Sequence, residues 1–143
     1  MNGETVEGSQ GACPNGWHVP THYEFTDLER TVCSLLGNSN CEIQFPKDTI
    51  TIEQRGTNEG DSLKSDSWCY DFLGCAQSGF NLLPSGYRNS VDGSFYNFGS
   101  GADLWLSSGD LYPWQRDLSI FDSFIYRDTY YRPFAYSVRC IKD

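Results

Sequence analysis

Side chains suited to molecular recognition are concentrated near the end of this sequence, between residues 105 and 136. Tyr and Trp rings give a large contact area at little entropic cost, and Asp, Ser and Arg beside them supply charge and hydrogen bonds. A β-strand points alternate side chains to opposite faces, so about half of these rings must face outward or lie in loops. The stretch contains no Lys, and its ten aromatic residues are Trp105, Tyr112, Trp114, Phe121, Phe124, Tyr126, Tyr130, Tyr131, Phe134 and Tyr136.

Rings in irregular stretches are the best candidates for an exposed surface, and we expect Tyr112, Phe121, Tyr130 and Tyr131 to be exposed. Acidic residues near them would be ordinary solvated charges in most proteins, but beside exposed rings they become contacts. The alternative interpretation is that all of these rings belong to the core. The predicted ligand-binding residues are Asp110, Tyr112, Asp117, Ser119, Phe121, Asp122, Phe124, Asp128, Tyr130 and Tyr131.

The two histidines are not expected to form a metal-binding pair. His18 and His22 are four residues apart, which in a helix would place them on one face, but Pro20 lies between them and prevents that helix. We therefore predict that His18 is a structural hydrogen-bonding residue.

Other polar groups are also interpreted as structural. Asp92 and Asp103, with nearby Gly and Asn, could supply calcium ligands, but their spacing does not match an EF-hand loop. Arg55, Glu59 and Asp61 are predicted to form a buried polar network rather than a catalytic one. No nucleophile elbow, Walker loop or paired-carboxylate motif is present. We therefore predict no enzymatic activity, no metal and no cofactor.

The composition excludes several classes of partner. The 143 residues fit one domain and contain ten Lys plus Arg against nineteen Asp plus Glu, which gives a formal net charge of −9 and a pI near 4.5. Nucleic acids and anionic membranes both require a basic protein surface, so neither is an expected partner. No stretch is apolar for long enough to form a transmembrane helix, so membrane insertion is not expected.

Six cysteines favour an oxidising compartment, and therefore an extracellular or cell-surface location. They allow fifteen pairings, and a zinc site is disfavoured because no Cys-x-x-Cys pair occurs. The local pairs Cys33–Cys41 and Cys69–Cys75 would each close a loop, and Cys13–Cys140 would then join the two ends of the chain. The N-terminus lacks the charged and apolar regions of a signal peptide. A trimmed signal, a fragment and a chain that is not exported all stay open as explanations.

The clearest helix begins after Thr21. Thr21 is a favourable N-cap, Glu24 occupies the capping-box position, and apolar residues follow at helical spacing until Gly37 provides a stop signal. The pattern predicts a helix over residues 22–36. We predict a short second helix over residues 57–64, a polar segment over residues 1–12, irregular structure over residues 38–56 and a polar loop over residues 65–78.

From Gly79 onward the pattern is typical of short strands separated by turns. The Asp92-Gly93 pair is a hairpin signal between Tyr87-Arg88 and residues 94–96. Further strands are predicted over residues 80–83, 104–108, 114–120, 123–128 and 135–141. The fold class expected from these elements is α+β, with a small antiparallel sheet and many loops.

Five blocks of sequence follow one another along the chain: Cys13-Pro-Asn-Gly-Trp-His-Val-Pro-Thr21, Arg55-Gly-Thr-Asn-Glu-Gly-Asp61 with Leu63-Lys64, Ser78 to Arg88 with Asp92-Gly-Ser-Phe95, Leu104 to Ser108, and Ser137-Val-Arg-Cys-Ile-Lys-Asp143. Together they closely resemble the Fibrobacter succinogenes major paralogous domain family. The resemblance covers roughly residues 1–143 and implies a C-type-lectin-like fold of the formylglycine-generating-enzyme type, with one or two helices. Relatives usually carry more sequence ahead of Met1, so the domain is expected to be N-terminally truncated. Motif positions Trp105, Trp114, Ile125 and Tyr136 are expected in the core.

The formylglycine-generating enzymes are oxidases that hold copper with two cysteines near the C-terminus. Cys140 matches one of these cysteines, because Ser137-Val138-Arg139-Cys140 is similar to their Gly-Phe-Arg-Cys segment. The other position, five residues earlier, is Ala135. With only one of the two cysteines, the chain cannot bind copper in the two-coordinate arrangement. The resemblance therefore implies no oxidase activity in this chain.

Several members of the family are variable proteins of diversity-generating retroelements, which recopy a C-terminal region with errors at adenines. Relatives read approximately Trp-x-Arg-Asn-Leu-Asn-x-Asn-Asn-Ser-x-Ile-Tyr-Arg-Asn where this chain has residues 114–128. Leu118, Ile125 and Arg127 are retained, and no Asn occurs after residue 98. The Asn-like positions carry residues that adenine mutation would give, namely Asp117, Ser119, Phe121, Asp122 and Asp128.

Two functions follow as hypotheses. The first is a diversified ligand-binding protein that uses residues 105–136 as a variable surface for an unknown protein or cell-surface ligand. The second is an undiversified structural or carbohydrate-binding surface module.

Overall fold

The structure combines three short helices with small antiparallel sheets. The computed structural model describes residues 6–69 and 74–143. Residues 1–5 of the predicted polar segment and residues 70–73 of the predicted 65–78 loop lie outside the described residues. In chain order the elements are β1 (Trp17–His18), α1 (His22–Leu35), α2 (Cys41–Gln44), β2 (Glu53–Arg55), α3 (Glu59–Leu63), β3 (Tyr87–Arg88), β4 (Phe95–Tyr96), β5 (Gly101–Trp105), β6 (Trp114–Ser119), β7 (Ile125–Thr129) and β8 (Ile141–Lys142).

Helix α1 confirms the capping-box prediction. The Glu24 backbone N–H donates to Thr21 Oγ1 at 3.1 Å, and the Thr21 N–H donates to Glu24 Oε2 at 2.8 Å. These two bonds satisfy donors that have no partner inside the helix. At the other end, Gly37 adopts a φ of 74°, which glycine tolerates without a steric penalty. The helix therefore starts and stops where local sequence chemistry requires.

The region between residues 38 and 56 is more ordered than its sequence suggests. It contains α2 and β2, whereas we predicted irregular structure, and α2 raises the number of helices above the expected one or two. β2 pairs antiparallel with β7, over seventy residues later, through Glu53↔Arg127 and Arg55↔Ile125. The second predicted helix is confirmed as α3, preceded by Asn58.

The main sheet has four antiparallel strands in the order β2-β7-β6-β5. One face carries Trp114, Arg116 and Leu118 of β6, which are buried against α1 and the core. Side chains alternate along a strand, so Gln115, Asp117 and Ser119 point to the opposite face. We call this opposite face the outer face of the sheet, and it is where the functional candidates gather.

The predicted hairpin at Asp92-Gly93 is confirmed as β3 and β4, which pair through Tyr87↔Tyr96 and Arg88↔Phe95. The other predicted strands are shifted at their ends. β5 covers residues 101–105 rather than 104–108, and β7 begins at residue 125 rather than 123. Residues 80–83 and 135–141 contribute isolated bridges, at Leu82, Ala135 and Ser137, in place of full strands. Of the second segment only Ile141 is in a strand, as the first residue of β8.

A fully buried ion-pair network joins α1 to the main sheet. Glu29, Arg116 and Arg127 are each 0% exposed, and the two arginines are directly opposite each other on β6 and β7. Glu29 accepts from Arg116 Nε at 2.6 Å and from Arg127 Nε at 3.1 Å. Arg127 also donates to Thr26 Oγ1 at 3.0 Å. The Glu29 carboxylate thus holds α1 against the main sheet. The sequence pattern did not predict this ion-pair network.

Three disulfides connect the six cysteines: Cys13–Cys140, Cys33–Cys41 and Cys69–Cys75. The first joins the two ends of the chain beside the β1–β8 pair, and the other two close short loops. The disulfide prediction is confirmed. Within the described residues, no helix is both long and apolar enough to cross a membrane.

Candidate functional site

The outer face of the sheet brings two aspartates together from neighbouring strands. Asp103 of β5 is directly opposite Asp117 of β6, which in turn is opposite Tyr126 of β7. The next row places Trp105 opposite Gln115, and Gln115 opposite Asp128. Strand register alone therefore aligns carboxylates, an amide and rings across three strands.

A group of packed aromatic rings, which we call the aromatic wall, lies beside this row of side chains. Ser137 donates its N–H to the Asp103 carbonyl at 2.9 Å, which holds Tyr136 next to β5. The Tyr136 ring centroid lies 4.3 Å from Trp105, 5.7 Å from Tyr87 and 6.0 Å from Tyr130. Phe134 packs edge-on against Tyr130, with centroids 4.9 Å apart. These separations are those of favourable aromatic pairs.

The row and the wall enclose an open cavity of about 260 Å³, which we call the aromatic cavity. Its three carboxylates and Gln115 come from strands of the main sheet, whereas Tyr130, Phe134 and Tyr136 come from the segment after β7. The cavity is lined by Tyr87, Asn97, Asp103, Gln115, Asp117, Tyr126, Asp128, Tyr130, Phe134 and Tyr136.

The two central carboxyls are held in an environment that disfavours their charge. Burial, together with the charge of Asp117, raises the pKa of Asp103 from 3.8 to about 7. Burial and Asp122 raise the pKa of Asp117 to about 6, while Lys64 opposes that shift. Burial also raises the pKa of Tyr136. Groups with such shifts are concentrated at functional sites, because stability alone does not favour a pair of buried like charges.

Two buried oxygen atoms of residues that line the cavity have no hydrogen-bond partner among the described residues. They are Asp103 Oδ2 and Gln115 Oε1, on side chains that are only 6% and 5% exposed. Both are acceptors. Buried polar atoms are almost always satisfied, so each of these is a position that a donor from outside could complete. Of the described residues that line the cavity, none is Lys, Arg or His.

A second, smaller depression of about 130 Å³ adjoins the aromatic cavity and shares Asp117 and Tyr126 with it. Ser119, Asp122 and Phe124 line it together with Gln54 of β2. Asp122 and Phe124 belong to the turn between β6 and β7, where Asp122 Oδ1 accepts the Phe124 N–H at 3.2 Å. The outer face is therefore one continuous surface that extends from the aromatic wall to β2.

The predicted site residues fall into four sets. Asp117, Asp128 and Tyr130 line the aromatic cavity, and Ser119, Asp122 and Phe124 line the smaller depression beside it. Phe121 is 78% exposed at the β6–β7 turn. Tyr112 and Tyr131 form a separate exposed pair with ring centroids 6.1 Å apart, and the exposed Asp110 lies 3.8 Å from Arg132. None of these three residues lines the aromatic cavity or the smaller depression.

Expectations about exposure are confirmed for the four rings in irregular stretches, which are between 39% and 78% exposed. Trp105, Trp114 and Ile125 are buried as expected. Tyr136 is only partly buried, and it differs from the prediction because it lines the cavity rather than the core.

Sequence reasoning missed Asp103, Gln115 and Tyr87 as parts of one site. The alternation of Trp114, Arg116 and Leu118 with Gln115, Asp117 and Ser119 was a signal that could have assigned the last three to one face. Asp103 and Tyr87 gave no such signal, because their proximity depends on strand register and on bridges between distant segments.

The two histidines make structural contacts inside the protein. His18 is held between Asp143 and Glu24, at 2.6 and 3.0 Å, which confirms its structural role. His22 is buried against Trp114, and its pKa is lowered to about 4 by burial and by Arg116.

The predicted network of Arg55, Glu59 and Asp61 is wrong as a single unit. Glu59 accepts backbone N–H groups of residues 57 and 58, and Asp61 pairs with Lys64 at 2.8 Å. These two acids are buried, whereas Arg55 is partly exposed and donates to the Ile52 carbonyl. The two acids are thus buried in separate local arrangements.

Cys140 is disulfide-bonded to Cys13 and so offers no thiolate for copper. Among residues 6–69 and 74–143, no group of three or more His, Cys, Asp or Glu side chains is arranged to hold a metal ion.

Comparisons with known proteins gave one match. The family model described as the Fibrobacter succinogenes major domain matches residues 2–142. Neither the curated proteins nor the solved structures gave a match.

Proposed function

The chain belongs to the Fibrobacter succinogenes major domain family, and from this we propose that it is a ligand-binding protein whose recognition surface comprises the outer face of its main sheet and the exposed rings of Tyr112 and Tyr131. The finer features of the proposal are a C-type-lectin-like fold and diversification of that surface by a retroelement. The ligand would be a protein or another cell-surface molecule. Three disulfides are compatible with an extracellular or cell-surface location, and we propose no catalytic activity.

The direction of the side chains on β6 and β7 carries this proposal. Positions where the sequence differs from its relatives face outward or lie in the turn, as at Asp117, Ser119 and Asp128. Most retained positions face inward, because Leu118, Ile125 and Arg127 are 1% exposed or less, whereas the retained Tyr126 lies on the outer face. A diversified binding protein requires this division, since a rigid frame must survive while its surface residues change.

Loss of binding without loss of folding would test the ligand-binding role. We would compare the labelled wild-type protein with the Tyr130→Ala, Tyr131→Ala variant on arrays of peptides and glycans and on intact cells. The proposal expects the variant to lose binding while keeping its melting temperature. A matched control replaces two exposed residues elsewhere, Ile43→Ala and Val91→Ala, which are 76% and 88% exposed. Equal binding by wild type and the tyrosine variant would contradict the proposal.

Diversification has its own test in the DNA next to the gene. The proposal expects a near-copy of the segment that encodes residues 105–140, differing at adenines, and a gene for a reverse transcriptase nearby. If neither occurs, diversification is refuted while ligand binding stands.

A carbohydrate-binding module is the second candidate function. It is favoured by one observation, namely that rings such as Tyr130 and Tyr136 lie beside the acceptors Asp103 and Gln115 in the same cavity. Sugars are commonly held by a ring face together with polar acceptors. Selective binding to glycans on the array, with none to peptides, would favour this candidate over the first.

A further inference from the structure

We propose that the aromatic cavity binds the guanidinium group of an arginine side chain on a polypeptide partner. This inference rests on the proposed ligand-binding function and specifies the chemistry of the group that enters the cavity. It is drawn from the unsatisfied acceptors, the paired carboxylates and the rings of the cavity.

The unpaired oxygen atoms of the cavity favour a ligand that donates hydrogen bonds. Within the part of the chain that the structure describes, Asp103 Oδ2 and Gln115 Oε1 have no hydrogen-bond partner, and both residues are more than nine-tenths buried and line the cavity. Arginine carries five N–H donors in a planar fork and no acceptor. A hydroxyl group of a sugar would bring one donor together with acceptors that these oxygens cannot use.

The charge of the cavity favours a cation. Asp103 and Asp117 are directly opposite each other on β5 and β6, an arrangement that is unfavourable for like charges. No described residue that lines the cavity is cationic, and Lys64, which lies near enough to influence Asp117, is already paired with Asp61. A bound cation would supply the missing opposite charge, and the formal net charge of −9 would assist its approach.

The walls favour a flat cation over a compact one. Tyr87, Tyr130, Phe134 and Tyr136 lie around the carboxylates with centroid separations of 4.9 to 6.1 Å. A guanidinium group stacks on aromatic faces and pairs with carboxylates through two parallel bonds, whereas an ammonium group is a strongly hydrated point charge. The cavity volume of about 260 Å³ accommodates one such side chain with room for water.

The test uses three short peptides of matched shape. The probes are acetyl-Gly-Arg-Gly-amide, the same peptide with citrulline, which is neutral but nearly isosteric, and the same peptide with lysine. Binding is followed by NMR titration of the protein amides of β5 and β6. We expect the arginine peptide to bind at least about tenfold more tightly than the citrulline peptide, as expected when a charge-assisted hydrogen bond is lost. Equal affinity for arginine and citrulline would overturn the inference.

Variants then assign the effect to the cavity. Asp103→Asn and Asp117→Asn should each weaken binding of the arginine peptide by about tenfold. Asp66→Asn removes the same formal charge from an exposed position and should leave the affinity unchanged. An equal loss in all three variants would show a general charge effect and contradict the inference.

Binding should also depend on pH. The two carboxylates, Asp103 on β5 and Asp117 on β6, share the cavity with other titratable groups. These groups are Tyr126 and Asp128 on β7 and Tyr87, Tyr130 and Tyr136 around the sheet. Asp122 and Lys64 also act on Asp117. Affinity for the arginine peptide should rise from pH 5 to pH 8 as the carboxyls lose their protons, because the ionised forms attract the cation. A flat profile would count against the inference.

Failure of this inference can be told apart from failure of the proposed function. If target binding depends on Tyr130 and Tyr131 but arginine and citrulline peptides bind alike, the outer face is a binding surface whose ligand is not arginine. Preferential binding of glycans would likewise overturn the arginine inference and favour the carbohydrate module.

Discussion

Asp103 and Asp117 are directly opposite each other on β5 and β6, although both are carboxylic acids and both are largely removed from water. Cross-strand pairs of like charge destabilise a sheet. Burial raises the pKa of each group, to about 7 for Asp103, where the charge of Asp117 contributes, and to about 6 for Asp117, where the charge of Asp122 contributes. Ionisation of either carboxyl is therefore unfavourable in the folded protein, and a cation bound as proposed above would offset that penalty.

Replacing Asp103 by Asn should stabilise the protein at neutral and alkaline pH. Asp103 has a pKa of about 7 in the folded protein against 3.8 as the reference value. Between these values the folded state holds more protons, so the stability of the wild type falls as pH rises from about 4 to about 7. Asn does not ionise and escapes this loss, which amounts to an upper limit of about 4 kcal/mol. Urea denaturation at pH 4 and pH 8 would measure it.

The exposed variant Asp66→Asn provides the control for that comparison. It changes the formal net charge equally and should show no gain that grows with pH. An Asp103→Asn protein no more stable than wild type at pH 8 would mean that the carboxyl is not strained in the folded state.

Glu29→Gln should be strongly destabilising. The change leaves the guanidinium groups of Arg116 and Arg127, each 0% exposed, without their shared counter-charge. Removing one partner of a buried ion pair typically lowers stability by about 3–5 kcal/mol. Equilibrium denaturation in urea would report the difference in the free energy of unfolding.

Glu42→Gln is the matched control, because Glu42 is an exposed residue 4.0 Å from Arg30. Its loss should change stability by less than about 1 kcal/mol. Similar effects at Glu29 and Glu42 would show that the buried network contributes little.

The contrast between α1 and the cavity explains how much the sequence could predict. The helix depends on Thr21 and Glu24, three residues apart, so its start is encoded locally and was predicted correctly. β2 was missed because Glu53–Arg55 lacks an alternating apolar pattern and is defined by pairing with β7. In the sequence, Glu29 looks like an ordinary polar residue of a helix. Its contacts with Arg116 and Arg127 on distant strands are visible only in the structure.

The candidate site was predicted only in its local parts. Exposed rings in irregular stretches, such as Phe121 and Tyr131, could be recognised from their surroundings in the sequence. The meeting of Asp103 with Asp117 and Tyr87 depends on strand register and on bridges between segments far apart in the chain. Such long-range pairing is not readable from a single sequence.

Tyr131 should contribute little to stability, in contrast to Trp105. Tyr131 is 54% exposed, with the Tyr112 ring 6.1 Å away, so Tyr131→Ala should change the free energy of unfolding by less than about 1 kcal/mol. Trp105 is 7% exposed and packs on Tyr136, and Trp105→Ala should lose about 3–5 kcal/mol. Thermal denaturation of both variants would check this ranking. A large loss at Tyr131 would make it a core residue and remove it from the recognition surface.

The Cys13–Cys140 disulfide should stabilise the protein more than Cys33–Cys41. Its partners are 127 residues apart, against 8 for the shorter loop. In the chain-entropy model the constraint on the unfolded state is worth about 5 kcal/mol for the long loop and about 2.5 kcal/mol for the short one. Double replacement by Ala at each pair, followed by urea denaturation, would measure the two losses. A larger loss at Cys33–Cys41 would mean that packing of Cys33 in the core outweighs loop entropy.

His18 should stabilise the junction of the two chain ends in a pH-dependent way. Its Nδ1 faces Asp143 and its Nε2 faces Glu24, so both ring nitrogens can donate only when the imidazole is protonated. The hydrogen bond to Asp143, opposed by burial and supported by Glu24, raises the pKa of His18 above 6.5. The stabilisation is then complete below pH 6.5 and is lost as pH rises through the folded pKa.

The difference in melting temperature between wild type and His18→Gln isolates this effect from the titration of Asp103, which both proteins share. The difference should be largest near pH 5.5 and should shrink by pH 9, because the neutral imidazole keeps only one of its two donors. A difference that stays constant across this range would assign the role of His18 to packing, since packing does not depend on the proton.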